Sequence, residues 1–151
     1  MPYEIEVVHS LSQPALVRGG DVAHDGIPAF LGEAFGAVMG QLAAQGAHPA
    51  GAPFARYALI PAGFVIEAGF PCSPGVTSAD PQVRVVELPG GELATCLHVG
   101  AFGQIAGAYQ ALEQWMRDEG REPAGQPWEE YLDGPEVALP RTVVRWPIKA
   151  R

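Results

Sequence analysis

The chain has 151 residues, of which 48% are apolar, and it carries a formal net charge of −8 from 17 acidic and nine basic residues. An apolar content this high supports a buried core and excludes a disordered chain. The acidic balance argues against binding to a phosphate backbone, because the scattered basic residues could not neutralise it. The two cysteines, Cys72 and Cys96, have no CxxC spacing. They therefore predict free thiols and no metal site.

Alternating apolar residues predict strands in both halves of the chain. In the first half the pattern covers residues 4–8, 14–19, 54–60 and 64–70. The first two of these segments are separated by a short break, and together they predict one long strand with a kink. In the second half the pattern covers residues 83–88, 92–99, 127–132 and 141–148.

One helix is predicted in each half. Residues 27–45 and residues 104–119 carry apolar side chains at helical spacing, and each segment ends at a glycine, Gly46 or Gly120. Along the first helix, glycines recur every four residues, at Gly32, Gly36 and Gly40. Each glycine lowers helix propensity by about 1 kcal/mol, so this spacing predicts a groove for close packing that compensates the loss.

The chain contains an internal repeat. Residues 45–57 return 74 positions later as residues 119–131, with six of thirteen positions identical. Two copies of one unit predict a single pseudo-twofold domain over residues 1–151. Its parts are a first repeat (1–72), a linker (73–82) and a second repeat (83–151). The predicted fold class is α+β, a curved antiparallel sheet of about eight strands with two helices on one face.

Several segments resemble the GyrI-like effector-binding domains, which occur alone or fused to AraC-type and MerR-type transcription activators. The segments are PFARY (53–57), VIEAGFP (65–71), HVGAF (98–102), PWEEYLDGP (127–135) and residues 141–147. Ala101 departs from the family, which often has proline at that position. The resemblance implies a duplicated strand, helix, strand, strand unit. It also implies binding of lipophilic, often cationic or polyaromatic, small molecules in a cleft between the halves, on the face opposite the helices.

The segment around Glu129 is the main candidate site. Glu129 and Tyr131 are two residues apart on a predicted strand and share a face, while Trp128 and Glu130 share the other. The family's Glu-x-Tyr pattern implies that Glu129 and Tyr131 point inward, Glu129 as the charge partner of a cation and Tyr131 as a wall and hydrogen-bond donor. The alternative is that one of the adjacent glutamates is solvated and the other caps a sheet edge.

Four more residues are candidate ligand contacts. Glu67 interrupts an apolar strand beside Gly69, where a ligand could come close, although an exposed strand glutamate is the alternative. Tyr57 is the repeat counterpart of Tyr131. Phe102 is a candidate pocket wall, and Trp115 fits either the core or the cleft rim.

Three functions fit these residues. The first is a non-enzymatic module that binds or senses a hydrophobic or cationic small molecule, standalone or with a separate regulator, and contacts neither nucleic acid nor membrane. The second is a hydrolase of electrophilic, cyclopropyl-type natural products with Glu129 as general base and Tyr131 as donor. The third is a gyrase-inhibitor-like protein-binding module.

Other activities lack a motif in the sequence. His98 has no nucleophile motif beside it, so a structural histidine at a strand end is predicted, with no cofactor and no metal. The N-terminus has no basic segment followed by an apolar run, and no window was expected to reach the roughly 20 apolar residues of a membrane span. The expected location is therefore the cytoplasm.

Overall fold

A computed structural model describes residues 3–134 and 136–150. Over these residues the chain has an α+β fold with eight strands and two α-helices, which confirms the predicted class. The strands are β1 (Glu6–Ser10), β2 (Gln13–Val22), β3 (Phe54–Ile60), β4 (Gly63–Pro71), β5 (Val83–Leu88), β6 (Gly91–Val99), β7 (Trp128–Tyr131) and β8 (Arg141–Pro147). The helices are α1 (Ile27–Ala44) and α2 (Ala106–Glu119), and a short 3-10 turn, Phe102–Gln104, precedes α2.

The chain divides into two compact units, Gln13–Leu88 and Met1–Ser12 with Pro89–Arg151. In the first, the strand order is β3-β4-β2-β5, and every pairing is antiparallel. Helix α1 covers one face of these strands because its apolar side chains recur at helical spacing. The core there consists of Leu16, Val38, Leu42, Cys72 and Val83.

The second unit has the strand order β1-β6-β8-β7, again antiparallel throughout. Helix α2 packs on one face through Ala108, Leu112 and Met116, which are all buried. These side chains contact Ala94, Cys96, Val144 and Ile148 of the sheet and the segment that follows it. Each unit therefore repeats the same design of four antiparallel strands and one helix.

The predicted first strand is interrupted at its break and forms two strands, β1 and β2. β1 pairs with β6, whereas β2 pairs with β4 and β5. Leu11 lies between them and is 91% exposed, and the antiparallel pairing keeps the same offset on both sides of it, with Ser10 opposite Gly91 and Gln13 opposite Leu88. Residue alternation shows that a segment is extended, but it does not show which strand will be its neighbour.

Glycine ends both helices as predicted. Gly46 has φ 68° and Gly120 has φ 65°, a left-handed conformation that glycine adopts without strain. After α2, the N–H of Arg121 donates to the carbonyl of Met116 at 2.8 Å, and after α1 the N–H of Ala47 donates to Leu42 at 2.8 Å. These bonds satisfy carbonyls that the last helical turn leaves open.

The predicted packing groove on α1 is wrong. Gly32, Gly36 and Gly40 are exposed, and a Cβ atom built on any of them would meet no atom within 4 Å. Met39, one of the apolar side chains of this helix, is 40% exposed. By length and composition alone, residues His24–Ala44 are apolar enough to cross a membrane. The expectation that no segment would reach this length and apolar content was therefore wrong. In the structure this helix packs on β2 and β4.

Candidate functional site

Glu129 lies on β7 with a carboxylate held by two tyrosine hydroxyls. The side chain is buried, with 7% of its residue surface exposed. The hydroxyl of Tyr109, on α2, donates to Oε2 at 2.6 Å. The hydroxyl of Tyr131, two residues further along β7, donates to Oε1 at 2.9 Å. Each carboxylate oxygen therefore accepts a hydrogen bond from a neutral donor.

Burial dominates the electrostatics of this carboxyl group. It raises the pKa of Glu129, because removal from water penalises the charged form. The hydrogen bonds from Tyr109 and Tyr131 and the electrostatic influence of the nearby His98 act in the opposite direction and lower the pKa, but they do not cancel the effect of burial. Among the ion pairs of the described residues, no lysine or arginine is paired with Glu129.

Glu130 points to the opposite face of β7 from Glu129, and its carboxylate has a cationic partner. Its Oε2 accepts hydrogen bonds from the indole N–H of Trp128 at 2.9 Å and from Nε of Arg145 at 2.6 Å. Trp128 and Glu130 therefore share one face of β7, and Glu129 and Tyr131 share the other, as alternation predicts. The charge of Glu130 is neutralised within the protein.

Glu67 is also neutralised. It lies on β4 of the other unit, where its Oε1 is 2.8 Å from Nη2 of Arg56 and its Oε2 contacts Nη2 of Arg84. Gly19 is the register partner of Glu67 on β2. Of the three glutamates considered from sequence, Glu129 is thus the one without a cationic partner among the described residues.

The Glu129 cluster lies on the side of the sheet that α2 covers. In the register, Glu129 and Cys96 both pair with Val144 of β8, and Cys96 and Val144 pack under α2. The resemblance to the family predicts a ligand cleft on the face opposite the helices. The structure places the acid under α2 instead, because Tyr109 of the helix donates to it.

Aromatic rings surround the carboxylate. Phe102 contacts Tyr131 edge to face, with ring centroids 5.8 Å apart, and Trp146 contacts Tyr109 in the same way at 6.1 Å. Phe102 is 37% exposed, so it marks the place where this cluster meets solvent. The cluster therefore combines a buried acid with apolar walls, which is the usual composition of a small-molecule site.

His98 holds the turn that carries Phe102. The ring is 3% exposed. Its Nε2 lies 2.9 Å from the carbonyl oxygen of Ala101, and its Nδ1 lies 2.8 Å from the hydroxyl of Tyr3. A carbonyl can only accept, so Nε2 carries a hydrogen, and in a neutral ring Tyr3 donates to Nδ1. His98 thus fixes the chain next to Phe102 instead of only ending a strand.

The other predicted contacts lie elsewhere. Trp115 packs against the core under α2, which is one of the two positions expected for it. Tyr57 lies in the other unit, where it contacts Phe64 edge to face at 5.9 Å. Tyr109 was not predicted as a site residue, because its place on the apolar stripe of α2 indicates only a core position. The hydroxyl contact depends on which strand the helix covers.

The family of the chain is established by comparison. Residues 22–149 match the GyrI-like small molecule binding domain. The chain belongs to this family, and it is a small-molecule binding domain. No curated protein matches the sequence significantly.

Solved structures share the fold at low identity. The EcmrR C-terminal domain has a TM-score of 0.78 and 18% identity, and each chain covers 100% of the other. EcmrR in a complex with DNA has a TM-score of 0.82 and 17% identity. The match covers 100% of the present chain and 59% of the EcmrR chain. A hydrolase from Listeria innocua has a TM-score of 0.70 and 16% identity, and the match covers 99% of the present chain and 94% of the hydrolase chain. SAV2435 bound to tetraphenylphosphonium has a TM-score of 0.62 and 14% identity over 99% and 95%.

Proposed function

We propose that this domain binds a lipophilic organic cation and that Glu129 provides the counter-charge. The observation that carries the proposal is a buried carboxylate whose hydrogen-bond partners, Tyr109 and Tyr131, are both neutral. A buried charge is unfavourable unless an opposite charge accompanies it. A bound cation would supply that charge and would stabilise the ionised form of Glu129.

The aromatic residues around Glu129 suit the body of such a ligand. A cation is attracted to the face of an aromatic ring within about 6 Å, and Tyr131, Phe102 and Tyr109 offer rings beside the carboxylate. Both carboxylate oxygens already accept an O–H bond, so the cation has no need to donate one. A quaternary or delocalised cation without N–H groups meets this requirement.

The comparisons support this ligand class by analogy. SAV2435, which has the same fold, binds tetraphenylphosphonium. EcmrR carries a domain of this fold in a protein that binds DNA, which favours a sensing role for the present chain. A separate regulator, a gyrase partner and a cytoplasmic location stay predictions.

Isothermal titration calorimetry with tetraphenylphosphonium tests the proposal. A carboxylate and a cation about 5 Å apart attract each other by roughly 3 kcal/mol at an effective dielectric constant of about 20. Glu129→Gln should therefore weaken binding roughly 100-fold. Glu130→Gln is the matched control, since it changes the adjacent residue in the same way on the opposite face. Equal affinity in wild type and Glu129→Gln, or equal losses in both variants, would refute the assignment.

A second candidate function is hydrolysis of an electrophilic small molecule. The observation in its favour is the contact between Glu129 and two tyrosine hydroxyls, because a carboxyl group with a raised pKa is suited to general acid–base chemistry. A protein of the same fold is a hydrolase. Turnover of an electrophilic cyclopropyl compound that disappears in Glu129→Gln would support this function. Binding of the compound without turnover would support the sensing role.

A further inference from the structure

Two buried polar atoms next to the Glu129 cluster lack a hydrogen-bond partner among the described residues. They are the hydroxyl oxygen Oγ1 of Thr142 and the indole nitrogen Nε1 of Trp146. Thr142 is completely buried. Buried polar atoms in folded proteins are nearly always paired, so two such atoms near one candidate site need an explanation.

Both residues point to the same side of β8 as the cluster. Thr142, Val144 and Trp146 alternate along the strand and so share a face, and Val144 packs under α2. Val144 is the register partner of Glu129. Thr142 and Trp146 therefore lie on either side of the Glu129 position, each about 7 Å away along the strand.

Each of the two atoms also lies beside a residue of the cluster. Thr142 is the register partner of both Tyr131 and His98. The ring of Trp146 contacts Tyr109 at 6.1 Å between centroids. Trp146 also borders a cavity of about 190 Å³, whose other walls are Glu113, Met116, Arg117, Arg121 and Pro123. A cavity near 150 Å³ can hold a benzene ring, so an uncharged part of a ligand fits next to the indole.

The chemistry of the two groups restricts what could pair with them. An indole N–H can only donate a hydrogen bond, and a threonine hydroxyl can donate one. Both groups would be satisfied by an acceptor oxygen such as an ether or a carbonyl. A cation made only of hydrocarbon would leave them as they are.

We propose, on the basis of the proposed function, that the natural ligand is an organic cation that also carries a hydrogen-bond acceptor. Its positive charge lies at Glu129, and an ether or carbonyl oxygen accepts a hydrogen bond from Thr142 or from Trp146. The two donors thereby select among lipophilic cations, a discrimination that the carboxylate and the aromatic walls alone do not provide.

A matched pair of permanently charged probes tests the inference. Butyl-triphenylphosphonium and methoxyethyl-triphenylphosphonium have the same shape and charge and differ by one CH₂ replaced by oxygen. A net hydrogen bond corresponds to a preference of about three- to tenfold. Calorimetry on the wild-type protein should show this preference for the methoxyethyl compound.

The variants Thr142→Val and Trp146→Phe remove the donors; valine keeps the shape of threonine, and phenylalanine keeps an aromatic ring. In the double variant the ratio of the two affinities should fall to about one, whatever change in affinity the two probes share. The single variants identify which donor is used. Thr142→Val should also keep or raise the unfolding midpoint, because it removes a buried hydroxyl without a protein partner.

The outcomes separate this inference from the function on which it rests. If both probes bind the wild type with equal affinity, the inference that the ligand carries an acceptor oxygen is wrong, while the proposed cation site at Glu129 stands. A preference that persists in the double variant also overturns the inference, because the oxygen then binds elsewhere. If neither probe binds, both the inference and the proposed function fail.

Discussion

Replacing Tyr109 by phenylalanine removes one of the two hydroxyls that donate to Glu129 and retains the ring. The lost bond is short, 2.6 Å, and its acceptor is a buried carboxylate. Hydrogen bonds to charged groups contribute about 1.5–3 kcal/mol. The variant should lose about that much unfolding free energy at mildly alkaline pH, which corresponds to roughly 3–12 °C in the unfolding midpoint for a chain of this size.

The loss should depend on pH in a defined direction. The Tyr109 hydroxyl favours the ionised carboxylate and lowers the pKa of Glu129, so its removal raises that pKa further. The destabilisation is therefore largest above the pKa of Glu129 in the folded protein and shrinks as the pH falls and the carboxyl group protonates. Urea unfolding followed by circular dichroism at a series of pH values measures it.

A double-mutant cycle makes this prediction refutable. In a Glu129→Gln background the acceptor is neutral, so Tyr109→Phe should cost only about 0.5–1.5 kcal/mol, with no dependence on the protonation of residue 129. An equal loss in both backgrounds, or a loss that grows in acid, would show that the hydroxyl stabilises the protein by some other contact.

Two more predictions concern charge and helix propensity. Burial raises the pKa of Glu129. The stabilisation by its protonated carboxyl group is therefore fully present below the unfolded pKa of about 4.3 and is lost as the pH rises through the folded pKa. Without ligand, Glu129→Gln should be more stable than the wild type at neutral pH and should lose that advantage in acid. A wild-type advantage that grows with pH would contradict the raised pKa. Gly36→Ala should raise the unfolding free energy by about 0.5–1 kcal/mol, because Gly36 lies on an exposed helix face. Gly69→Ala should have the opposite sign in the same assay, since a Cβ there would lie 1.9 Å from the carbonyl oxygen of Leu16.

Local rules predicted the parts of the site that lie on a single strand. Alternation places Glu129 and Tyr131 on one face, and the hydrogen bond between them confirms it. The same rule separates Glu130, which pairs with Arg145. Alternation could not predict that Glu67 would be neutralised, because its arginine partners come from two other strands, β3 and β5, and alternation within β4 does not determine which strands lie beside it.

In the helices, too, local features were predictable and packing was not. Their ends were predictable because Gly46 and Gly120 relieve a backbone constraint that acts within a single turn. The glycine spacing on α1 was interpreted wrongly, because spacing shows that residues share a face and does not show whether anything covers that face. Only the packed structure shows that Gly36 faces outward.

The sequence by itself determined the class of the fold, the repeat, the helix ends and the shared face of Glu129 and Tyr131, because these depend on local backbone geometry and on residue periodicity. Tertiary structure alone decided which strands pair and which carboxylates are neutralised. It brought Tyr109 of α2 onto Glu129, and it left Thr142 and Trp146 with buried donors beside the same cluster. The physical reason is that burial and pairing depend on residues far apart in the chain. The sequence shows that Glu129 carries a carboxyl group, but only the fold removes that group from water.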